Sequence, residues 1–314
     1  MENESIPVFM FTGFVESGKT TMIKRWLTQQ FFKQQQKVVL LICEDGFTEY
    51  DESELDANVA LYMRPEGEKF DAVLLEKINR EYAPTAVIIE NNCMESVDEE
   101  LDFEWPENWD LVEISAMIDS TKFDAQMKNM GGIMTEQFKY ATVAVFNRCD
   151  ENTKKLKLRA AVKAVNPEAS LMFIRNDGTA DDQLDELPFD ITAPVIKIED
   201  IDYGLWFIDV FENYQRYNGK TVEFKGIVAR PQGYPKNSFL AGRHAMTCCA
   251  DDMQYLKLLC VTETEASVRE GEWVMVTAEI QVCQPAGMED PSPVFYVKSI
   301  KKAKEPDCEF VYFS

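Results

Sequence analysis

The sequence predicts an α/β domain built on a largely parallel sheet, followed by a smaller all-β module. Three observations carry this reading. Up to about residue 180, short apolar runs alternate with segments of helical spacing, the pattern of strands joined by crossover helices. Between the first run and the first helix lies a glycine loop of G-x-x-x-x-G-K-[ST] spacing, formed by Gly13, Gly18, Lys19 and Thr20. Beyond about residue 190 the texture changes to β-rich runs separated by turn residues.

Each element follows from its residues. IPVFMFT (6–12) reads as a short buried strand that delivers the chain into the glycine loop. KTTMIKRWLTQQFF has helical spacing, with Ile23, Trp26, Leu27 and Phe31 able to share one face. KVVLLI (37–42) and TAVIIE (85–90) are unbroken apolar runs of the kind buried on both faces of a sheet, and FDAVLLEKINREY between them predicts a helix. WDLVEISAMID (109–119), ATVAVFN (141–147) and SLMFIR (170–175) predict further strands. TKKLKLRAAVKAVN predicts a helix ended by Pro167. A ligand of such a sheet belongs beyond the carboxyl ends of the strands, where the glycine loop lies. In the second half, a short helix at GLWFIDVFENY precedes TVEFKGIVAR, RHAMTCCA, QYLKLLCV, EWVMVTAEIQV and PVFYVKSIKKA, with Gly219 and Gly271 at the turns before two of these strands. Five strands in about a hundred residues suggest a small OB-like barrel. The expected organisation is an α/β domain over 1–190, a linker with a short helix over 191–215, and a β domain over 216–314.

Composition bounds the function. A chain of 314 residues is long for one domain, and no apolar run approaches the ~20 residues needed to span a bilayer. The start MENESIPVFMF lacks the features of a secretory signal, so a cytoplasmic protein is expected. Lys and Arg number 32 against 55 Asp and Glu, a net charge of −23. From Gly204 onward 12 basic residues face 15 acidic ones, so the first 203 residues carry −20. A field of that sign repels a polyphosphate backbone, and nucleic acid is not an expected partner. None of the eight cysteines forms a C-x-x-C pair, which excludes the common zinc-finger and thioredoxin spacings.

The glycine loop points to a nucleotide. Amides around Ser17, Gly18 and Lys19 would face phosphates at the positive end of the first helix. Lys19 would neutralise β and γ phosphates and the Thr20 hydroxyl would ligate Mg²⁺. Gly13, Val15, Glu16, Ser17 and Thr21 complete the expected contacts of the loop. Glu16 places a carboxylate there, and it can face solvent, a partner subunit or an attacking water. FNRCD (146–150) supplies Asn147, Arg148 and Asp150 in the N-[KR]-x-D pattern, whose aspartate accepts two hydrogen bonds from the guanine edge that adenine does not offer. The expected nucleotide is therefore GTP. Glu90, at the end of VIIE, stands where a carboxylate holds Mg²⁺ directly or through water, and Glu44 stands where a switch segment closes on the γ-phosphate. Lys19, Glu44 and Glu90 are the expected catalytic residues. In the second half, adjacent Cys248 and Cys249, with His244, Cys260 or Cys283, are candidate Zn²⁺ ligands. Neighbouring residues of a strand face opposite sides, so thiols packed in a small barrel are the competing reading.

Residues 6–180 resemble the CobW family of GTPases, relatives of HypB and UreG. TGFVESGKTT is similar to that family's TGFLGSGKTT, IIENNCM to its E-x-x-G strand end, MIDSTKF to its VVDA-x-x-F, and EQFKYATVAVFNRCD to its EQ-x-x-x-AD-x-x-x-x-NK-x-D. The resemblance implies a P-loop NTPase fold, GTP binding with slow Mg²⁺-dependent hydrolysis, and a link to metal delivery, with a metalloprotein client as partner. The chain departs from the pattern in three places. The interval that carries C-x-C-C in the family has only Cys43, Cys93 replaces the glycine of E-x-x-G, and His244 is the one histidine. Residues 215–305 resemble the C-terminal domain of YcgQ-like bacterial proteins through GRHAMTCCADD, which implies a fold and a permease-associated partner.

Overall fold

The computed structural model describes residues 5–44, 46, 50–183, 187–246, 253–284, 291–308 and 310–311. It divides into two bodies. The first comprises Met1–Thr153 with Val165–Gln183, the second Lys154–Ala164 with Leu184–Ser314.

The first body holds a seven-stranded sheet. In chain order its strands are β1 (Ile6–Thr12), β2 (Val38–Ile42), β3 (Val59–Met63), β4 (Ala86–Glu90), β5 (Trp109–Asp119), β6 (Val143–Cys149) and β7 (Ser170–Arg175). They lie in the order β3-β2-β4-β1-β5-β6-β7 and every pairing is parallel. All side chains of β2 and β4 are buried, as their unbroken apolar sequences require. β1 alternates between two cores. Val8 and Met10 join Leu74, Leu75 and Ile78 of α3 (Ala72–Tyr82) on one face. Phe11 joins Ile23 and Leu27 of α1 (Lys19–Leu27) on the other, where its ring meets Trp26 edge-on at 4.9 Å.

The helix expected to continue through Phe31 is broken. α1 ends at Leu27 with Thr28 as its cap, Gln29 is extended with ψ 150°, and a short α2 (Gln30–Lys33) restarts the coil. The break shifts the register, so Phe32 is 3% exposed beneath the sheet while Phe31 is 45% exposed. In this body β3, α5 (Phe123–Lys139) and the short α4 (Val97–Asp102) did not stand out in the sequence. β3 lies at the sheet edge and is only half-buried. α5 is kinked at Met130 (φ −139°, ψ 35°), just before Gly131 and Gly132. α4, capped by Ser96, follows β4.

The second body contains α6 (Lys155–Val165), β8 (Ile196–Lys197), α7 (Tyr203–Glu212) and the strands β9 (Thr221–Ala229), β10 (Ser238–Met246), β11 (Met253–Val261), β12 (Trp273–Cys283), β13 (Ser292–Lys302) and β14 (Phe310–Val311). β9 pairs with both β10 and β12, β10 with β11, β11 with β13, and β13 with β12, which closes a five-stranded barrel. Only the β11–β13 pairing in that ring is parallel. β8 and β14 extend the sheet at β9 and β10. Strict alternation of buried and half-buried residues along β9 sends Val222, Phe224 and Val228 inward. Trp206 of α7 lies against Phe224 and Phe295, and Ala160 and Ala164 of α6 belong to the same core. Gly219 and Gly271 have φ of 77° and 74° at the turns entering β9 and β12, as the sequence suggested. Among the described residues, no helix is long and apolar enough to cross a membrane.

Candidate nucleotide site

β1 ends at Thr12 and the glycine loop turns the chain into α1. Gly13 has φ 126°, and a Cβ there would lie 2.2 Å from the Met117 carbonyl oxygen. Gly18 has φ 98°, and its Cβ would lie 2.5 Å from Nδ2 of Asn147. Gly13 therefore requires glycine sterically as well as conformationally, whereas Gly18 requires it conformationally and a Cβ there would displace the Asn147 amide. Ser17 N–H donates to Phe14 O at 2.9 Å, closing the loop on itself. The first amides of α1 have no intrahelical acceptor and form its electropositive end.

The loop is braced from below by Gln137 of α5. This side chain is 2% exposed, and its Oε1 accepts the Thr12 hydroxyl and, at 3.1 Å, the Gly13 amide.

Lys19 is 3% exposed. Its ammonium donates to Gly13 O at 2.6 Å and Phe14 O at 3.3 Å and forms an ion pair with Glu44, just beyond β2. Burial pushes the Glu44 carboxyl up from its ordinary range, and Lys19 pulls it back. Thr20 donates its hydroxyl to Glu90 Oε1 at 2.7 Å, and Tyr50 donates to the other oxygen, Oε2. Burial and the Glu90 charge raise the Tyr50 phenol, so it stays a donor.

On the opposite flank, β6 contains Asn147 as expected and continues two residues beyond it, so Arg148 and Cys149 belong to the strand as well. Asn147 Nδ2 donates to Ser17 O. Arg148, with φ 53°, turns its guanidinium back onto Glu16 O at 3.0 Å and Asp119 Oδ2 at 2.8 Å. Asp150 is exposed, and its Oδ1 accepts from Asn152 N–H and the Thr153 hydroxyl. Glu16 is in the left-handed region with φ 62°, and its carboxylate lies 3.4 Å from Lys122. Val15 is 40% exposed, and Thr21 is exposed on the first turn of α1.

The structure thus gathers Gly13 to Thr20, Glu44, Glu90, Asn147 and Arg148 around one loop. Asp119, Lys122, Gln137 and Tyr50 were missed. The first three lie in or beside stretches that carried the family resemblance, but their contacts form only through tertiary folding. Nothing in the sequence marks Tyr50. A cavity of about 480 Å³ opens beside the site, lined by Cys43, Glu44, Arg64, Lys69, Asn92 and Glu95 among others. Arg64 spans it with a two-pronged ion pair to Glu95 and a hydrogen bond to Cys43 O.

The candidate Zn²⁺ ligands fare differently. Cys248 and Cys249 lie outside the described residues. His244 sits on β10 opposite Tyr255, whereas Cys260 is buried opposite Phe239, five positions further along β11 and so roughly 16 Å away. Cys283 ends β12, with its sulfur 3.9 Å from the Tyr296 hydroxyl. Among the described residues, no three His, Cys, Asp or Glu side chains come together to hold a metal.

A parallel sheet with a glycine loop after its central strand, a buried lysine in that loop, and a threonine bonded to a strand-end carboxylate define a P-loop nucleotide-binding protein. The chain belongs to the CobW/HypB/UreG nucleotide-binding domain family, whose model matches residues 7–173. Residues 174–313 match the DUF1980 C-terminal domain. Among solved structures, Zn(II)-bound YjiA GTPase from E. coli is similar at 17% identity, covering 87% of this chain and 93% of that one with a TM-score of 0.43. Hydrogenase maturation factor HypB from Archaeoglobus fulgidus is similar at 18% identity, covering 57% and 85% with a TM-score of 0.40. HypB from Helicobacter pylori in complex with nickel is 19% identical, covering 55% and 80% with a TM-score of 0.39. No curated protein matches the chain.

Proposed function

We propose that this chain is a Mg²⁺-dependent GTP-binding protein that hydrolyses GTP slowly. The observation that carries the reading is the docking of the Asn147–Asp150 segment on the phosphate loop. Asn147 and Arg148 hold the carbonyls of Ser17 and Glu16, so base reader and phosphate cradle form one unit. Asp150 stands exposed two residues further on, available to a guanine edge.

The residues fit the phosphates and the metal. Ser17 Oγ is buried without a hydrogen-bond partner among the described residues, in a loop where Gly13 leaves no room for a Cβ, which suits an anion's oxygen. Lys19 would exchange Glu44 for phosphate. The Thr20 hydroxyl, its proton committed to Glu90, has lone pairs free for Mg²⁺, and Glu90 would hold the ion directly or through water. Bound there, Mg²⁺ supplies neutralisation of phosphate charge. Glu44, once released, stands on the γ-phosphate side as a candidate to orient water.

Calorimetry with GTP and ATP in Mg²⁺ tests the base reading, with GTP expected to bind at least about tenfold tighter. Equal affinities would remove the role of Asp150. Asp150→Asn should lose GTP and gain xanthosine triphosphate, because xanthine carries an oxygen where guanine carries an amino group. Lys19→Ala should abolish binding, and retained affinity would sink the whole reading. Single-turnover hydrolysis measures the catalytic half of the proposal.

Metal coupling is the narrower part. It rests on family membership and on Glu44, which lines the cavity and pairs with Lys19. A cation that takes Glu44 would free Lys19 for phosphate, so Zn²⁺ should alter GTP affinity, and GTP the affinity for Zn²⁺, by one common factor. A GTP affinity unmoved by one equivalent of Zn²⁺ would point instead to a protein partner, such as a client or a permease-associated protein. We propose the OB-like label for the barrel on its strand order, first-second-third-fifth-fourth, with the third and fifth strands parallel.

A further inference from the structure

We propose that Lys122 is the counter-ion of a carboxylate built into the phosphate loop, and that the Glu16–Lys122 pair sets how fast bound nucleotide leaves. The inference rests on the nucleotide reading above and concerns two residues outside the phosphate-and-metal chemistry.

Glu16 cannot simply swing its main chain away. Its φ of 62° and the bond from Arg148 to its carbonyl fix it at the crown of the loop, two residues before Gly18. Its main chain is therefore fixed within the phosphate loop, and its half-exposed carboxylate adds a negative charge close to where a ligand of several negative charges is to bind. Alone, it repels that ligand.

It is not alone. Lys122 Nζ lies 3.4 Å from Glu16 Oε2 and 3.7 Å from Asp119 Oδ2. Asp119 is 3% exposed and is tied to Arg148 at 2.8 Å and to the N–H and hydroxyl of Thr121. Two cations and two carboxylates form a closed circuit that runs through the Glu16 backbone. Arg148 joins the Glu16 main chain to Asp119, and Lys122 joins the Glu16 side chain to the same aspartate. The four groups sum to zero formal charge, so Lys122 offsets the repulsion that the Glu16 carboxylate exerts on the phosphates. Lys122 and Glu16 are each about half exposed, so the neutralisation is partial and sensitive to salt.

A double-mutant cycle tests this: Glu16→Gln, Lys122→Gln and the two together, with release of a fluorescent methylanthraniloyl-GDP followed after a chase of unlabelled GDP in Mg²⁺. Lys122→Gln should speed release about two- to five-fold, the range open to an exposed pair. Glu16→Gln should slow it and should cancel most of the effect of Lys122→Gln when the two are combined. The acceleration should shrink at high ionic strength, and thermal melts should coincide across the four proteins. Equal acceleration by Lys122→Gln in both backgrounds would mean that Lys122 acts on the nucleotide itself and would overturn the pair. No acceleration in either background would overturn it too. A full-length protein that binds no guanine nucleotide would overturn the parent reading and this one with it, whereas binding without coupling overturns this one alone.

Discussion

Glu100, a carboxyl group without a place for its charge, shows what single residues do here. It is 3% exposed, Oε2 accepts from Asn91 Nδ2 at 2.7 Å, and Oε1 has no partner among the described residues. Burial pushes it up to about 8. The folded state thus binds this proton more tightly than the unfolded chain. The resulting stability is present below the ordinary glutamate range and is lost as pH rises through about 8. Glu100→Gln keeps the bond from Asn91 and removes the titration. It should stabilise the protein at pH 9 by on the order of 2 kcal/mol and do little at pH 5. Urea unfolding at the two pH values measures this, and an unchanged slope would assign the loss elsewhere. Gly18→Ala tests a steric rule instead. A methyl 2.5 Å from Asn147 Nδ2, on a backbone of φ 98°, should cost nucleotide affinity about tenfold or more, as seen by titration. At this scale the loop was legible because its turn into α1 fixes Gly13 and Gly18 and their spacing to Lys19 and Thr20. Gln137 and Tyr50 were not, because each reaches the site from an element whose approach no local pattern encodes.

Elements were legible where burial was uniform. β2 and β4 are covered on both faces and read as unbroken apolar runs. β3, at the edge with every residue partly exposed, carries no such run. The overlong first helix arose because Phe31 and Phe32 both suit an apolar face, and only the turn at Thr28 decides between them. α5 was hidden by its own glycines. Gly131 and Gly132 follow the kink with open space where a Cβ would lie, so no packing demands them. Gly132→Ala should therefore stabilise the protein by about 0.5–1 kcal/mol, observed as a raised melting temperature. The C-terminal half of α5 braces Gly13 through Gln137 and contacts the α4 region through Glu136–Ser96 and Lys139–Asp98. If the kink lets that half adjust during binding, straightening it should also weaken nucleotide affinity. A variant that gains stability with unchanged affinity would make the kink incidental.

Over the whole molecule, the chain's two bodies are not consecutive. α6, which follows β6 in sequence, packs with the second body, where Arg159 and Lys163 both pair with Glu212 at 2.9 Å. The texture change near residue 190 marks where β structure begins but could not reveal this, because α6 is amphipathic in the same way wherever it docks. A fragment covering residues 184–314 lacks the Ala160 and Ala164 wall of its core. It should unfold at lower urea than the barrel within the full chain, as read by tryptophan fluorescence. Equal midpoints would show that α6 adds nothing to the barrel.

The Lys19–Glu44 pair has a consequence in heat and protons. Under the proposed function, phosphate would take Lys19 and Glu44 would lose the charge that holds its carboxyl down, while burial and the nearby Glu90 continue to push it up. Nucleotide capture in weakly acidic solution should therefore draw protons from the medium. The apparent enthalpy of binding will then depend on the ionisation heat of the buffer, and Glu44→Gln will remove that dependence.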